Sequence, residues 1–246
     1  MQLKRFGNRL AKRAGYKIER VNTESKDSRA QADAFDWRMK AAIFEKYQEF
    51  TMCRRRKYIL NLKLASKFTP ASGTIVECGT WRGGMIAGLA EVVGKDREFW
   101  LFDSFEGLPE IAEIDGERAL AFKAVQGASG HPEANLRAEQ AWSERAMSMA
   151  GAANSTFVPG WFEDTLPSYH GGPIALLRMD GDLYSSTMET LTNLYDHVAK
   201  DGLIIIDDYF SWDGCARAVH DFLSEQNTAN RIKTFNNVVA YIRKQD

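Results

Sequence analysis

The chain has 246 residues, 44% of them hydrophobic, which suffices for one sizeable core or for one domain with an appendage. Its 32 Lys and Arg residues nearly balance its 33 Asp and Glu residues, so no overall charge indicates a nucleic-acid partner. The three cysteines form no disulfide framework, no apolar run reaches the roughly 20 residues that span a bilayer, and the N-terminus lacks the apolar core of a secretory signal. These features predict reduced thiols and a cytoplasmic protein.

Residues 1–22 are strongly basic, with seven Lys and Arg residues against one acid, Glu19. Their apolar residues have a loose helical spacing. Two interpretations stay open: a packing helix with a solvated basic face, and an amphipathic segment that contacts an anionic membrane surface or a partner. Residues 23–35 are polar and are expected to form a linker.

Residues 36–69 are predicted to be helical, with an interruption at Thr51-Met52-Cys53. The basic run from Arg54 to Lys57 precedes the second helix, and we expect it to form a solvated helix face. Residues 70–73, Pro-Ala-Ser-Gly, indicate a turn before the next element.

From Thr74 onward, short apolar strands alternate with helices. The predicted strands are Thr74–Cys78, Glu98–Asp103, Ser155–Val158, Ile174–Met179 and Leu203–Asp207, and the predicted helices are Gly84–Val93, 133–150, Thr187–Ala199 and Gly214–Glu225. Such alternation is typical of parallel strands with both sheet faces covered. Asn236-Asn237, between two extended runs, predicts a closing antiparallel hairpin. The fold class is therefore α/β, a doubly wound, mostly parallel seven-stranded sheet.

The first strand leads into Glu77-Cys78-Gly79-Thr80-Trp81-Arg82-Gly83-Gly84, and a helix follows. Ligands of doubly wound sheets bind at the carboxyl ends of the strands, and glycines let a ligand approach the backbone. The spacing differs from that of dinucleotide folds, and a carboxylate here would repel a pyrophosphate. It suits a cationic or amino-bearing ligand such as S-adenosylmethionine, although an ordinary strand–helix turn is the alternative.

Asp103 ends the second predicted strand, where an acid is well placed to bind ribose hydroxyls. NAD and S-adenosylmethionine share this requirement, so Asp103 alone does not distinguish them. It is alternatively a turn-initiating residue before Ser104.

Acidic pairs follow the fourth and fifth predicted strands: Asp180 and Asp182, then Asp207-Asp208. Because adjacent parallel strands bring their carboxyl ends together, these acids would repel one another unless a cation neutralises them. Carboxylates suit Mg²⁺, and the lack of Cys and His argues against zinc. Solvated loop acids are the alternative, and Asp182 is alternatively a local hydrogen-bond acceptor beside a capping box of Ser186 and Glu189.

Five segments together resemble the macrocin O-methyltransferase family: GTIVECGTWRGG, LFDSFEGLP, PGWFEDTLP, LRMDGDLYSSTMETLTNLY and GLIIIDDY. The resemblance covers residues 48–223 and implies a class I, Rossmann-like methyltransferase fold. It also implies Mg²⁺-dependent methyl transfer from S-adenosylmethionine to a sugar hydroxyl of a glycosylated small molecule or glycan. We assign residues 1–35 to a basic segment and linker, and residues 36–246 to the methyltransferase domain with an N-terminal helical cap. We also expect a homo-oligomer.

The resemblance carries roles onto individual residues. Asp180 would be both metal ligand and general base, and Asp207 and Asp208 would complete the metal site. Cofactor-binding roles are implied for Thr51 and Met52, for Glu77, Gly79 and Gly83 at the methionine end, for Asp103 and Ser104 at the ribose, and for Trp161 and Phe162 near the adenine. The stretch 105–140 diverges from the family pattern after FEGLPE and is expected to hold a substrate-contacting loop.

Other functions remain open at this stage. Asp180-Gly181-Asp182 has the Asp-x-Asp form of some metal-dependent glycosyltransferases, although Glu77 disfavours a phosphate nearby. A catechol-like acceptor and a non-catalytic interaction protein are further alternatives. If the acceptor is a lipid-linked glycan, residues 1–22 would hold the enzyme peripherally at the inner membrane face.

Overall fold

The computed structural model describes residues 26–129 and 136–245, so the basic segment 1–22 lies outside the described residues. Contacts divide the chain into two units, Met1–Arg38 and Met39–Asp246. Helix α1 spans Lys26–Tyr47, so the linker prediction is wrong from Lys26 onward. The reason is composition, because this polar segment is rich in Ala, Lys, Arg and Gln, which favour helix. No helix among the described residues is long and apolar enough to span a membrane.

A second helix, α2 at Arg55–Phe68, follows a 3₁₀ turn at Gln48–Phe50. The predicted interruption between the helices is confirmed. Thr51 has an extended backbone, and its Oγ1 accepts a 3.1 Å hydrogen bond from the Cys53 N–H, which competes with helical bonding. The break directs the residues before α2 toward the carboxyl ends of the strands.

Seven strands form one sheet in the order β3-β2-β1-β4-β5-β7-β6. The strands are β1 Thr74–Cys78, β2 Phe99–Asp103, β3 Ser155–Pro159, β4 Ile174–Met179, β5 Val198–Ile206, β6 Lys233–Phe235 and β7 Val239–Arg243. β1 to β5 pair in parallel, and β7 pairs antiparallel with β5 and β6. The predicted doubly wound sheet with its closing hairpin is confirmed.

Six further α-helices follow β1 in the part of the chain that the structure describes. They are α3 Gly84–Val93, α4 Glu117–Ser129, α5 Gln140–Ala150, α6 Phe162–Thr165, α7 Tyr184–Leu194 and α8 Asp213–Glu225. The sequence did not predict α4, and α7 begins and ends earlier than expected because residues from Val198 onward join β5.

The start of α7 differs from the predicted capping box. Ser186 lies inside the helix, and the residue that precedes the helix, Leu183, supplies no side-chain cap. The Tyr184 N–H instead donates to Asp115 Oδ1 at 2.7 Å. Asp115 is buried and its other oxygen accepts from the Ala112 N–H at 2.9 Å, so one carboxylate ties the divergent segment to α7.

The switch in strand order lies between β1 and β4, where a doubly wound sheet opens a crevice at its carboxyl edge. Both strands are buried along their whole length. Each nevertheless carries one charged residue, and the register pairs them directly, Glu77 beside Arg178. β1 and β4 therefore place one buried acid and one buried base side by side next to the crevice.

Candidate active site

A cavity of about 970 Å³ lies at the carboxyl ends of β1, β2, β4 and β5, within the size range of ligand pockets. The predicted site residues that line it are Thr51, Met52, Glu77, Gly79, Asp103, Ser104, Trp161, Phe162, Asp180, Asp207 and Asp208. Gly83 is the exception. The topology has therefore brought segments from six parts of the chain to one cavity.

The two glycines of the first loop have different surroundings. A Cβ on Gly79 would lie 1.9 Å from the Asp180 carbonyl oxygen, so this glycine lets the loops after β1 and β4 touch. A Cβ on Gly83 would lie 2.7 Å from the Cα of Ser143 on α5. Both have positive φ, 87° and 79°, which favours glycine. Gly83 therefore serves helix packing behind the cavity wall.

Asp103 is held by the backbone of its neighbours. Its Oδ2 accepts from the Trp81 N–H and its Oδ1 from the Phe105 N–H, each at 2.7 Å. Trp81 and Phe105 both have positive φ, so the two loops are shaped around this carboxylate. Burial raises the pKa of Asp103 despite these bonds. Asp103 therefore both shapes the adjoining turns and lines the cavity.

Glu77 has no exposed surface and is the buried acid of the first loop. Its Oε1 accepts from Arg178 Nη1 at 2.9 Å, whereas its Oε2 is buried without any hydrogen-bond partner in the structure. Burial outweighs the arginine and raises the pKa of Glu77 to about 8. A buried oxygen that lacks a donor fits a ligand that brings one.

Arg178 joins the first loop to the acids after β4 and β5. It donates to Asp180 Oδ2 at 2.7 Å and lies 2.6 Å from Asp207 Oδ1. Its side chain is 1% exposed, so it compensates three carboxylates at once without help from water. Sequence reasoning missed this role, although a charged residue within an apolar strand was the available signal.

Lys57 is a second cation that pairs with an acid at the strand ends. Its Nζ lies 2.5 Å from Asp207 Oδ2, and its side chain is 21% exposed. Burial raises the pKa of Asp207, but Arg178 and Lys57 outweigh that effect and hold the pKa below its usual value. The expectation that the basic run is a solvated helix face is therefore wrong for Lys57.

Asp180, Asp207 and Asp208 each offer a carboxylate oxygen, and these atoms lie within 4.8 Å of one another. Asp208 Oδ2 is buried and lacks a hydrogen-bond partner, and burial followed by the neighbouring acids raises the pKa of Asp208 well above its usual value. A set of three oxygen donors with one uncompensated acid fits a hard cation such as Mg²⁺. The structure thus supports a metal fit at the predicted residues.

Asp182 also lines the cavity, so its surroundings are not limited to the turn that follows it. Its φ is 59°, and the Trp212 side chain donates a hydrogen bond to it. Burial, then the charge of Asp180, raises the pKa of Asp182 to about 7. The purely local role considered from the sequence is therefore too narrow.

The divergent stretch contributes to the wall of the cavity. Arg118 and Leu136 line it, and Arg118 Cζ lies 5.4 Å from the centroid of the Trp212 ring. This wall faces a floor that is otherwise built from residues of the recognisable motifs. Its position agrees with the expectation of a substrate-contacting loop, which stays a prediction.

Comparison with known proteins gives an independent view of the same chain. The family model described as macrocin-O-methyltransferase (TylF) matches residues 9–244. The demethyldecarbamoylnovobiocin O-methyltransferase of Streptomyces niveus is 36% identical over 172 residues, which are 66% of this chain and 62% of that protein. The 8-demethyl-8-(2,3-dimethoxy-alpha-L-rhamnosyl)-tetracenomycin-C 4'-O-methyltransferase of Streptomyces olivaceus is 39% identical over 156 residues, 61% of this chain and 58% of that protein.

This chain therefore spans about three fifths of the length of these two relatives. Among solved structures, that of the O-methyltransferase NovP superposes with a TM-score of 0.62 at 32% identity, covering 76% of this chain and 81% of the other. The family match covers nearly all of the described sheet and cavity. The chain belongs to the macrocin O-methyltransferase family.

Proposed function

We propose that the protein is an S-adenosylmethionine- and Mg²⁺-dependent O-methyltransferase that acts on a sugar hydroxyl of a glycosylated small molecule or glycan. The observation that carries this proposal is the meeting, in one cavity, of a donor-less buried Glu77 oxygen and the Asp180, Asp207 and Asp208 group. The first suits the amino group of the cofactor and the second suits a hard cation. Family membership supports both assignments.

In this proposal the first two loops bind the cofactor. Glu77 Oε2 would accept from the α-amino group, and the free lone pairs of Asp103 would accept from the ribose hydroxyls. Trp161 and Phe162, at the start of α6, would contact the adenine. When bound, S-adenosylmethionine supplies an activated methyl group, so the protein's task is to align the acceptor oxygen with it.

Asp180, Asp207 and Asp208 would hold the metal. Mg²⁺, when bound, supplies positive charge that lowers the pKa of a nearby hydroxyl. Arg178 and Lys57 fix Asp207 from both of its oxygens, so this acid is oriented before the metal arrives. That arrangement reserves the uncompensated Asp208 oxygen for the cation.

Asp180 would be the general base. Arg178 holds its Oδ2, and its side chain is 32% exposed, so the carboxylate is oriented yet open to the cavity. The other oxygen can accept the hydroxyl proton within hydrogen-bond reach. Asp182 is the second candidate, because its pKa of about 7 suits a base near neutral pH.

The sugar acceptor is inferred from the relatives, whose names describe methylation of glycosylated natural products. We further propose a homo-oligomer in the cytoplasm, with residues 1–22 making a peripheral membrane contact if the acceptor is lipid-linked. The Asp-x-Asp glycosyltransferase alternative is not supported by the comparisons, because the family model that matches the chain is that of an O-methyltransferase.

The test is a screen of glycosides for methyl transfer from labelled S-adenosylmethionine, with Mg²⁺ and with excess EDTA. We expect transfer only with the metal. Asp180→Asn should abolish transfer while S-adenosylhomocysteine still binds, and Asp182→Asn should retain more activity. Normal turnover by Asp180→Asn, with loss in Asp182→Asn, would move the base to Asp182, and full activity in EDTA would remove the metal.

A further inference from the structure

Four consecutive cations, Arg54 to Lys57, run from the residue before α2 into its first turn, which has no acid and no side-chain cap. Cations are unfavourable there, because the N-terminal end of a helix is itself positive. Two of the four have partners that offset this cost: Arg55 Nε lies 3.0 Å from Glu45 Oε1, and Lys57 pairs with Asp207. Arg54 and Arg56 are the two cations of the run whose cost no such ion pair offsets.

Arg54 and Arg56 are exposed, and among the described residues neither has a carboxylate partner. Both line the cavity, whereas Arg55 does not. The four residues of the basic run therefore have different surroundings. Arg55 is bound to α1, and Lys57 is bound to the strand-end acids, which we call the floor of the cavity. Arg54 and Arg56 face the opening of the cavity.

A third arginine comes from a different element. Arg118, in the first turn of α4, is exposed and lines the same cavity, where it stacks on Trp212. The lining residues from the start of α2, from α4 and from the β6–β7 turn therefore include three arginines without a carboxylate partner, and no acid. We call Arg54, Arg56 and Arg118 the arginine rim.

The acids of the cavity lie elsewhere. At the strand ends, Glu77, Asp180 and Asp207 pair with Arg178 or Lys57, and Asp208 belongs to the proposed metal group. Asp103 and Asp182 accept hydrogen bonds from backbone N–H groups and from Trp212 instead. The exposed Glu163 and the half-buried Glu189 lie on α6 and α7. An acceptor bound in this cavity would have carboxylates available to its sugar and guanidinium groups available to the group next to the sugar.

Resting on the proposed function, we propose that the acceptor bears a phosphate beside the sugar that is methylated, and that the arginine rim binds this phosphate. Guanidinium groups bind phosphate oxygens through paired, charge-assisted hydrogen bonds, and several arginines match the charge of a phosphate better than that of one carboxylate. Exposed Met52 and Phe210 also line the cavity and offer apolar surface to the group beyond the phosphate. A sugar nucleotide and a lipid-phosphate-linked sugar share this chemistry.

The test is calorimetric binding to the full chain loaded with S-adenosylhomocysteine and Mg²⁺. The probes are α-D-glucose 1-phosphate and neutral methyl α-D-glucoside. We expect the phosphorylated probe to bind at least about tenfold more tightly, and the Arg54→Gln/Arg56→Gln variant to lose most of that preference. Arg55→Gln is the matched control and should change the preference less than about twofold.

Three results would overturn the proposal: no preference for the phosphorylated probe, an equal loss in Arg55→Gln, or a preference that disappears when EDTA replaces Mg²⁺. S-adenosylhomocysteine affinity, measured first in each variant, reports folding. If the wild-type chain fails to bind it, the proposed function fails, and the same probes titrated into the unloaded protein still test the rim.

Two further probes separate the sources of the phosphate. UDP-glucose binding more tightly than glucose 1-phosphate would assign the rim to sugar nucleotides. A prenyl-phosphate-linked glucose binding more tightly would assign it to lipid-linked sugars. Equal affinities would support recognition of the phosphate alone, and Arg118→Gln should weaken every phosphorylated probe in the same direction.

Discussion

The floor and the rim of the cavity both carry positive charge, but they use it in different ways. At the floor, Arg178 is buried and each of its contacts is with a carboxylate of the same chain. At the rim, Arg54 and Arg56 are exposed and face the opening. The difference teaches that a buried cation organises the protein's own acids, whereas an exposed one is available to a ligand.

Lys57 stands between these two regions. It belongs by sequence to the basic run of α2, yet its ammonium group reaches the floor acid Asp207. The rest of that run points away or toward the opening.

Arg178→Met should have the largest effect, because it leaves Glu77, Asp180 and Asp207 without their shared cation. Removing one partner from a buried ion pair typically costs about 3–5 kcal/mol, so we expect a loss of unfolding free energy of that order. Urea denaturation measures this loss. Arg178→Lys keeps the charge but lacks the forked guanidinium group, so its unfolding free energy should lie between those of the wild type and Arg178→Met. Wild-type stability in Arg178→Met would refute the bridging role.

The floor also shows how far the sequence alone could lead. The five parallel strands and the meeting of Asp180 with Asp207-Asp208 were predictable, because apolar runs mark strands and parallel strands end at one edge. The partners of those acids were not. Arg178 meets Glu77 only through the register of β1 on β4, and Lys57 meets Asp207 across 150 residues of chain.

The rim was less predictable still. Helix α4 was missed in the stretch that diverges from the family pattern, and its cavity-facing Arg118 has no local sequence signal. The basic run was visible in the sequence, but the sequence did not show which of its four side chains face the cavity, because four consecutive cations look alike until their partners are known. Side-chain direction at a helix start depends on tertiary contacts rather than on local propensity.

Glu77 gives the next largest effect, through pH. Its pKa is about 8 in the folded chain against a usual value of 4.5, so the folded state disfavours its ionised form. This residue's contribution to stability is therefore full below pH 4.5 and declines as pH rises toward 8. Urea denaturation of the metal-free protein at a series of pH values should show the difference between wild type and Glu77→Gln shrinking or reversing over this window. A difference independent of pH would contradict the shift.

Lys57→Met tests whether this residue of the basic run acts on the metal group at the floor of the cavity. Removing the ammonium group beside Asp207 leaves more negative charge near the proposed metal group, so we expect Mn²⁺ to bind about tenfold more tightly to the cofactor-free protein. Isothermal titration measures the affinity. Lys67→Met, in the last turn of the same helix, is the control and should leave it unchanged. Weaker metal binding in Lys57→Met would mean that the lysine supports the site by orienting Asp207.

Asp115→Ala should have the smallest effect on the fold and a selective one on the rim. The Asp115 carboxylate accepts from the Tyr184 and Ala112 N–H groups, and so ties the segment before α4 to the helix that follows the floor acids. Losing this cap should cost about 1–2 kcal/mol of unfolding free energy. Because Arg118 lies three residues further on, we expect weaker binding of glucose 1-phosphate at unchanged S-adenosylhomocysteine affinity. Asp115→Asn keeps one acceptor and should retain most of the binding. If the variant instead lost the cofactor and kept the phosphorylated probe, Asp115 would support the floor, and the division between the two regions would have to be redrawn.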